Sequence, residues 1–212
     1  MVSNLTLRLN SAFITGLIAV GAVFLGGLFF QIFILICWLL MIYEWLLANS
    51  KKKSFLFFIG IFYISFPMSF WIYEAQIFPQ ALAVNIGWPF IIACSCDIFA
   101  YFGGIIFKGP KFAPKISPQK TWSGVTLGSL SALTVSSIYI LEFMKFDIRL
   151  FICSIFMVMA SILGDLLESK VKRVIGMKDM GSIIPGHGGV CDRLDSFLSV
   201  TYAFIILKFT IL

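Results

Sequence analysis

Between Arg8 and Glu44 this chain carries no formal charge. A bilayer hydrocarbon core about 30 Å thick is crossed by roughly 17–25 helical residues, so the run is too long for one span and suits two. Backbone polar groups in lipid must bond within their own segment, which favours helices there. Gly26-Gly27 near the middle of the run divides it into a tight hairpin over residues 11–27 and 28–48. No small-residue cleavage pattern follows, so the first span is expected to be retained rather than removed as a leader.

The rest of the chain keeps this character. Hydrophobic residues make up 60% of it and charged residues 12%, with a mean hydropathy of +1.01. A soluble domain of this size could not hide so much apolar surface. Further spans are expected over 54–73 (kinked at Pro67), 78–102 (interrupted by Pro89 and carrying Asp97), 123–141, 148–167 and 194–212. The fold class expected is an all-α polytopic membrane protein of about seven transmembrane helices. Residues 1–93 supply N-terminal transmembrane helices, and 94–212 form a catalytic membrane domain with two charged cytoplasmic loops. Five cysteines, an odd number scattered mostly through apolar runs, argue against a disulfide framework or a zinc site.

Basic residues orient the chain. With the N-terminus cytoplasmic, the inner face receives Arg8, Lys51 to Lys53, Lys108, Lys111, Lys115, Lys120 and a charged island over 169–195. The outer face receives Lys145 and Arg149, offset by Glu142 and Asp147, and Lys208. That bias follows the positive-inside rule. It makes the protein an integral, multi-pass membrane protein with its active face cytoplasmic, suited to a cell inner membrane.

The island gathers Lys170, Lys172, Arg173, Lys178 and Arg193 with Asp179, Asp192, Asp195 and the only histidine, His187. Pro185-Gly186-His187-Gly188-Gly189 cannot continue a helix, and its glycines permit close backbone approach to a ligand. Just before it, Asp165 and Glu168 are three apart and Lys172 is four further on, one helix face. Acids near a membrane span are costly unless they meet a polar cavity or a cation. Hard oxygen donors without clustered thiols favour an oxygen-ligated metal such as magnesium over zinc. If Asp192 precedes the last helix, the orphan N–H groups there favour anions, or Asp192 is simply the cap. His187 is open between general base, phosphate donor and hydrogen-bonded loop residue. Upstream, Asp97 lies within an apolar span, and Lys115, Ser117, Lys120 and Thr121 offer donors for phosphates. Trp122 reads as an interfacial belt residue. This is the chemistry of a membrane enzyme acting on a polyanion.

At these residues the chain resembles the phosphatidate cytidylyltransferase (CDP-diacylglycerol synthase) family. The resemblance rests on Ser169, Lys172-Arg173, Lys178-Asp179, Gly181, Pro185, His187-Gly188-Gly189, Asp192-Arg193 and Asp195, and upstream on Asp97, Ala100-Tyr101 and Ile116 to Trp122; the N-terminal spans are similar only in character, including Glu44 at the end of the second. The family usually has an acid where this chain has Ser123, and many members carry a span or two more ahead of Asp97. The resemblance implies transfer of CMP from CTP to phosphatidate, giving CDP-diacylglycerol and pyrophosphate in phospholipid biosynthesis. Lys178, Asp179, His187, Asp192 and Arg193 are then the catalytic candidates. Lys120, Ser117, Ser169, Lys172, Arg173, Gly188 and Gly189 are candidates for substrate binding. Asp179 and Asp192, followed by Asp165 and Asp195, are candidates for magnesium, with a companion monovalent cation left open. The implied partners are CTP, phosphatidate and the bilayer, not nucleic acid; a homodimer is left open. Rival readings are a kinase or cytidylyltransferase acting on another membrane lipid, or a transporter. Against the transporter stand the concentration of charge in loops on one face and the lack of an internal repeat.

Overall fold

The computed structural model describes residues 2–49, 55–184 and 188–211, with side chains described from Ile14 onward. The lysine cluster at 51–53 and His187 fall outside the described residues. Seven α-helices are described: α1 (Val2–Leu25), α2 (Gly27–Ala48), α3 (Phe55–Ile77), α4 (Leu82–Phe107), α5 (Trp122–Phe143), α6 (Ile148–Ile175) and α7 (Cys191–Thr210). Five of them, α2 to α6, are long and apolar enough to cross a bilayer. Large apolar side chains such as Phe24 and Phe55, each 81% exposed, face outward. Lipid tails solvate such side chains, so this is a polytopic membrane protein of the all-α class.

The chain forms two compact units, Met1–Ala83 with Ile175–Leu194, and Val84–Val174 with Asp195–Leu212. In the first, the break between α1 and α2 falls at Gly26 and Gly27, whose φ values of +61° and +48° suit glycine. Lipid supplies no hydrophobic drive between helices, so close packing and polar contacts must hold them. Trp45 illustrates both means. Its indole N–H donates to the Phe57 carbonyl at 3.0 Å, and its ring lies where any Cβ on Gly60 would be. Two turns away, Trp38 donates to Ser65 Oγ at 3.1 Å. α3 continues through Pro67 from Phe55 to Ile77.

In the second unit the buried stripe of α5 is Gly124, Gly128, Ala132, Ser136 and Ile140, each four residues from the last. A Cβ on Gly124 would sit 2.5 Å from the Ala100 carbonyl oxygen, and one on Gly128 2.6 Å from that of Cys96. The two glycines let α4 and α5 approach backbone to backbone. A buried polar relay crosses three helices. Trp88 Nε1–H donates to Ser136 Oγ at 2.7 Å, Ser136 and Ser154 hydroxyls pair at 2.7 Å, and Ser154 donates to the Leu150 carbonyl at 3.0 Å.

Three boundaries differ from the sequence expectation. The fourth helix starts at Leu82, because residues 78–81 form a turn around Pro79 in which Ala81 N–H donates to Phe78 C=O, and it runs on through Pro89 to Phe107. α6 continues well past 167 to Ile175, carried by a Glu168–Lys172 ion pair one turn apart. It stops before Gly176, whose φ of +87° is the usual left-handed exit from a helix. The loop after α4 folds into a hairpin, β1 (Lys111–Ala113) against β2 (Ser117–Thr121). Thr121 then caps α5 by accepting the Gly124 N–H at 3.2 Å.

Candidate active site

In the first unit the glycine-rich segment is organised by two carboxylates. Asp192, in the first turn of α7, accepts the Met180 N–H at 2.9 Å on Oδ2 and 3.1 Å on Oδ1. Oδ2 also accepts the Gly189 N–H at 2.9 Å. Asp192 therefore does more than end a helix: it ties the two ends of the 180–189 segment together. Gly188, at φ +87°, lies between the two acids singled out first, since a Cβ there would be 3.0 Å from Asp192 Oδ2 and 3.7 Å from Asp179 Cβ. Ile184 N–H donates to Gly188 C=O at 2.9 Å. Lys178, Asp179 and Arg193 are exposed.

The second carboxylate is Glu44, 1% exposed on α2. Its Oε1 accepts the Val190 N–H at 3.0 Å and its Oε2 the Cys191 N–H at 2.9 Å. The N–H groups expected to attract an anion at the start of α7 are thus partly taken by the chain's own acid. Sequence reasoning placed no role on Glu44, although an acid inside an apolar span is the same signal that marked Asp97.

The second unit assembles the other acids. Asp165 on α6 forms an ion pair with Lys120 at the end of β2. Asp195 is 9% exposed and lies within electrostatic reach of Asp165, Lys172 and Lys120. Its Oδ1 accepts the Ser196 N–H at 2.7 Å. Asp97 senses both Asp195 and Asp165, and its Oδ1 accepts the Ser196 hydroxyl at 3.1 Å. Ser196 was not singled out from the sequence. Lys172 and Arg173 occupy the last turn of α6, where cations suit the helix dipole, with Ser169 one turn earlier. Ser117 opens β2, three residues before Lys120.

Magnesium, which the family resemblance implies, fits this chemistry in part. The buried Asp195 has the half-buried Asp165 and the more exposed Asp97 as carboxylate neighbours, with Lys120 and Lys172 beside it, an oxygen-only donor set. Among the described residues no three His, Cys, Asp or Glu groups converge closely enough to hold a metal by themselves. Magnesium keeps several waters and takes substrate phosphates as ligands, so one or two carboxylates suffice. Taken each by itself, the second unit offers Asp165 and Asp195 as residues that would hold it, and the first unit offers Asp179 and Asp192.

The sequence profile of the cytidylyltransferase family matches residues 48–211, from the end of α2 through α7. The chain belongs to that family. The protein named phosphatidate cytidylyltransferase in Rickettsia typhi is 37% identical over 209 residues, covering 95% of this chain and 90% of that one. Its namesake in Rickettsia prowazekii is 37% identical over 214 residues, 97% and 92% of the two chains. The namesake in Haemophilus influenzae reaches 42% over 130 residues, 55% of this chain and 45% of that one. Ser123, where an acid is usual in the family, has a structural task here. Its hydroxyl accepts the Gly109 N–H at 3.1 Å and pairs with the Thr121 hydroxyl at 3.1 Å, fastening the hairpin to α5.

Proposed function

We infer that this family member is a phosphatidate cytidylyltransferase: it transfers CMP from CTP to phosphatidate and releases pyrophosphate, in phospholipid biosynthesis. The observation that carries this is near end-to-end similarity to relatives of that name. The carboxylates and cations at the helix ends are the chemistry such a reaction needs. A phosphate oxygen of phosphatidate forms a bond to the α-phosphorus of CTP. The bond from that phosphorus to the bridging oxygen of the β-phosphate breaks, and its electron pair leaves with pyrophosphate. The attacking oxygen is already anionic, so no strong base is required, and positioning with charge neutralisation supplies the rate. We therefore assign His187 to the phosphate donors ahead of a role as general base.

Lys120, Lys172, Arg173, Lys178 and Arg193 are the side chains we assign to phosphates, with Ser117, Ser169, Gly188 and Gly189 as neutral donors. Magnesium, when bound, neutralises charge on the phosphates and on the departing pyrophosphate. Asp165, Asp179, Asp192 and Asp195 are its proposed holders. We place the N-terminus and the reacting face on the cytoplasmic side of an inner membrane, because the basic residues concentrate there and CTP is water-borne. CTP labelled at the α-phosphorus should pass its label to the lipid, whereas γ-labelled CTP should leave it in pyrophosphate. Label reaching lipid from the γ-position would make the protein a lipid kinase instead.

A further inference from the structure

The buried acid on α2 has a place in this reaction that neither composition nor family membership assigns. We propose that Glu44 is a positioning residue of the nucleotide-transfer site: an intramembrane carboxylate that clamps the backbone at Val190 and Cys191, where the chain enters α7, in its working position. The proposal rests on the cytidylyltransferase reading for its kinetic consequence, though not for the clamp itself.

Three observations carry it. Both oxygens of Glu44 are used, each on a different backbone N–H at the entry to α7, so the acid fixes position and orientation together. Charge-assisted bonds of this kind are the strong ones, more so away from water. Next, the two glycines of the segment are small where Glu44 lies. A Cβ on Gly189 would be 2.5 Å from Oε2 and 2.6 Å from Oε1, and a Cβ on Gly181 would meet Oε1 and the carboxyl carbon. Real Cβ atoms do not approach so closely, so both ends of the turn are shaped around this carboxylate. Last, the same helix makes a second attachment one turn earlier, where the Cys191 thiol donates to the Met41 carbonyl at 3.5 Å. Met41 is 0% exposed.

Beside this clamp Asp192 joins the backbone at Met180 to that at Gly189, and Asp179 immediately precedes Met180. A carboxamide at 44 would turn one of the two acceptors into a donor facing an N–H. That leaves one backbone group unpaired and lets the segment tilt. An aspartate, one methylene shorter, keeps the charge but cannot span both N–H groups from the same backbone position.

The test compares wild type, Glu44→Gln and Glu44→Asp in detergent with two readouts. The first is steady-state pyrophosphate release against CTP and phosphatidate. A misplacement near 1 Å costs up to about 100-fold in rate, so kcat should fall by about that factor in Glu44→Gln. KM for CTP should change much less than kcat, because Lys120, Lys172 and Arg173 lie outside the clamped stretch. Glu44→Asp should lie between. The second readout needs no activity: N-ethylmaleimide labelling of Cys191, 5% exposed, followed by mass spectrometry of its peptide. Loss of the clamp should speed labelling about tenfold or more. A folding defect alone would lower yield and thermal midpoint without that split between kcat and KM. Unchanged labelling and kcat in Glu44→Gln would overturn the proposal, and so would faster labelling at unchanged kcat. A wild-type protein that releases no pyrophosphate would sink the functional reading alone, and Cys191 labelling would then decide the clamp by itself.

Discussion

Gly164→Ala probes how closely the acids of α6 and α7 must approach. A Cβ at 164 would occupy the space held by Ser199 Oγ and Cβ, with Ser199 Cα only 3.7 Å away. Ser199 is 8% exposed, and its hydroxyl donates to the Asp195 carbonyl at 3.2 Å, so it has little room to yield. Alanine in a helix gains about 1 kcal/mol over glycine when nothing opposes it. Overpacking costs about 1–3 kcal/mol, and here the obstructing atom is a Cβ fixed to its backbone. The clash therefore falls in the upper half of that range, about 2–3 kcal/mol, and wins by about 1–2 kcal/mol. Relieving it means parting the helices at Asp165, the next residue, and at Asp195, one turn before Ser199. A shift of that kind should cost about 10- to 100-fold in kcat. Ser199→Gly empties the contested space, so the double variant should recover much of both losses, a coupling of about 1–3 kcal/mol. Thermal unfolding and pyrophosphate release on the four proteins of the cycle measure it. Gly164→Ala with wild-type midpoint and kcat, or strict additivity in the cycle, would refute the reasoning.

Ser136→Ala leaves the buried Trp88 N–H without its hydroxyl acceptor. Interhelical hydrogen bonds in membranes average about 0.6 kcal/mol and reach about 1.7, while an orphaned buried donor costs about 1–3; we expect about 1–2 kcal/mol in a denaturant titration, with most of it absent when Trp88 is already phenylalanine. Asp179→Asn should abolish turnover while membrane insertion, read by fractionation, stays intact; near-normal turnover would remove Asp179 from the metal site. Asp147 precedes α6 and accepts both the side chain and the backbone N–H of Arg149, which hold its carboxyl below the usual carboxylate range. A depressed folded pKa means that its contribution is present above the unfolded value and lost as pH falls through the folded one. A carboxyl titration by NMR should find Asp147 below the ordinary range, and Arg149→Ala, which keeps only the backbone N–H, should raise it toward that range.

The helical plan was legible because lipid forces it: uncharged runs, paired glycines and clustered lysines are marks that a sequence carries openly. What escaped is what other forces set. Polar residues carry α6 to Ile175 through the Glu168–Lys172 pair, and apolar length alone stops short of them. The hairpin at 111–121 is too brief, with Pro114 and Pro118 inside it, for any period-two pattern. Asp97, Asp165, Asp192 and Asp195 stood out as acids near apolar spans. That Lys120 answers Asp165, however, depends on α5 and α6 packing, which no local pattern records. Glu44 was visible as an acid at the end of an apolar span, but its role was not: its partners are backbone N–H groups, common to every residue, and only the smallness of Gly181 and Gly189 leaves a trace.

The account stands or falls on pyrophosphate release by the purified protein given phosphatidate and CTP, with and without magnesium. It predicts release that needs the lipid, CTP and magnesium together, is abolished by a chelator and restored by added magnesium, and is absent with ATP. No release from folded protein across several detergents and lipid mixtures, or release indifferent to phosphatidate, would contradict it.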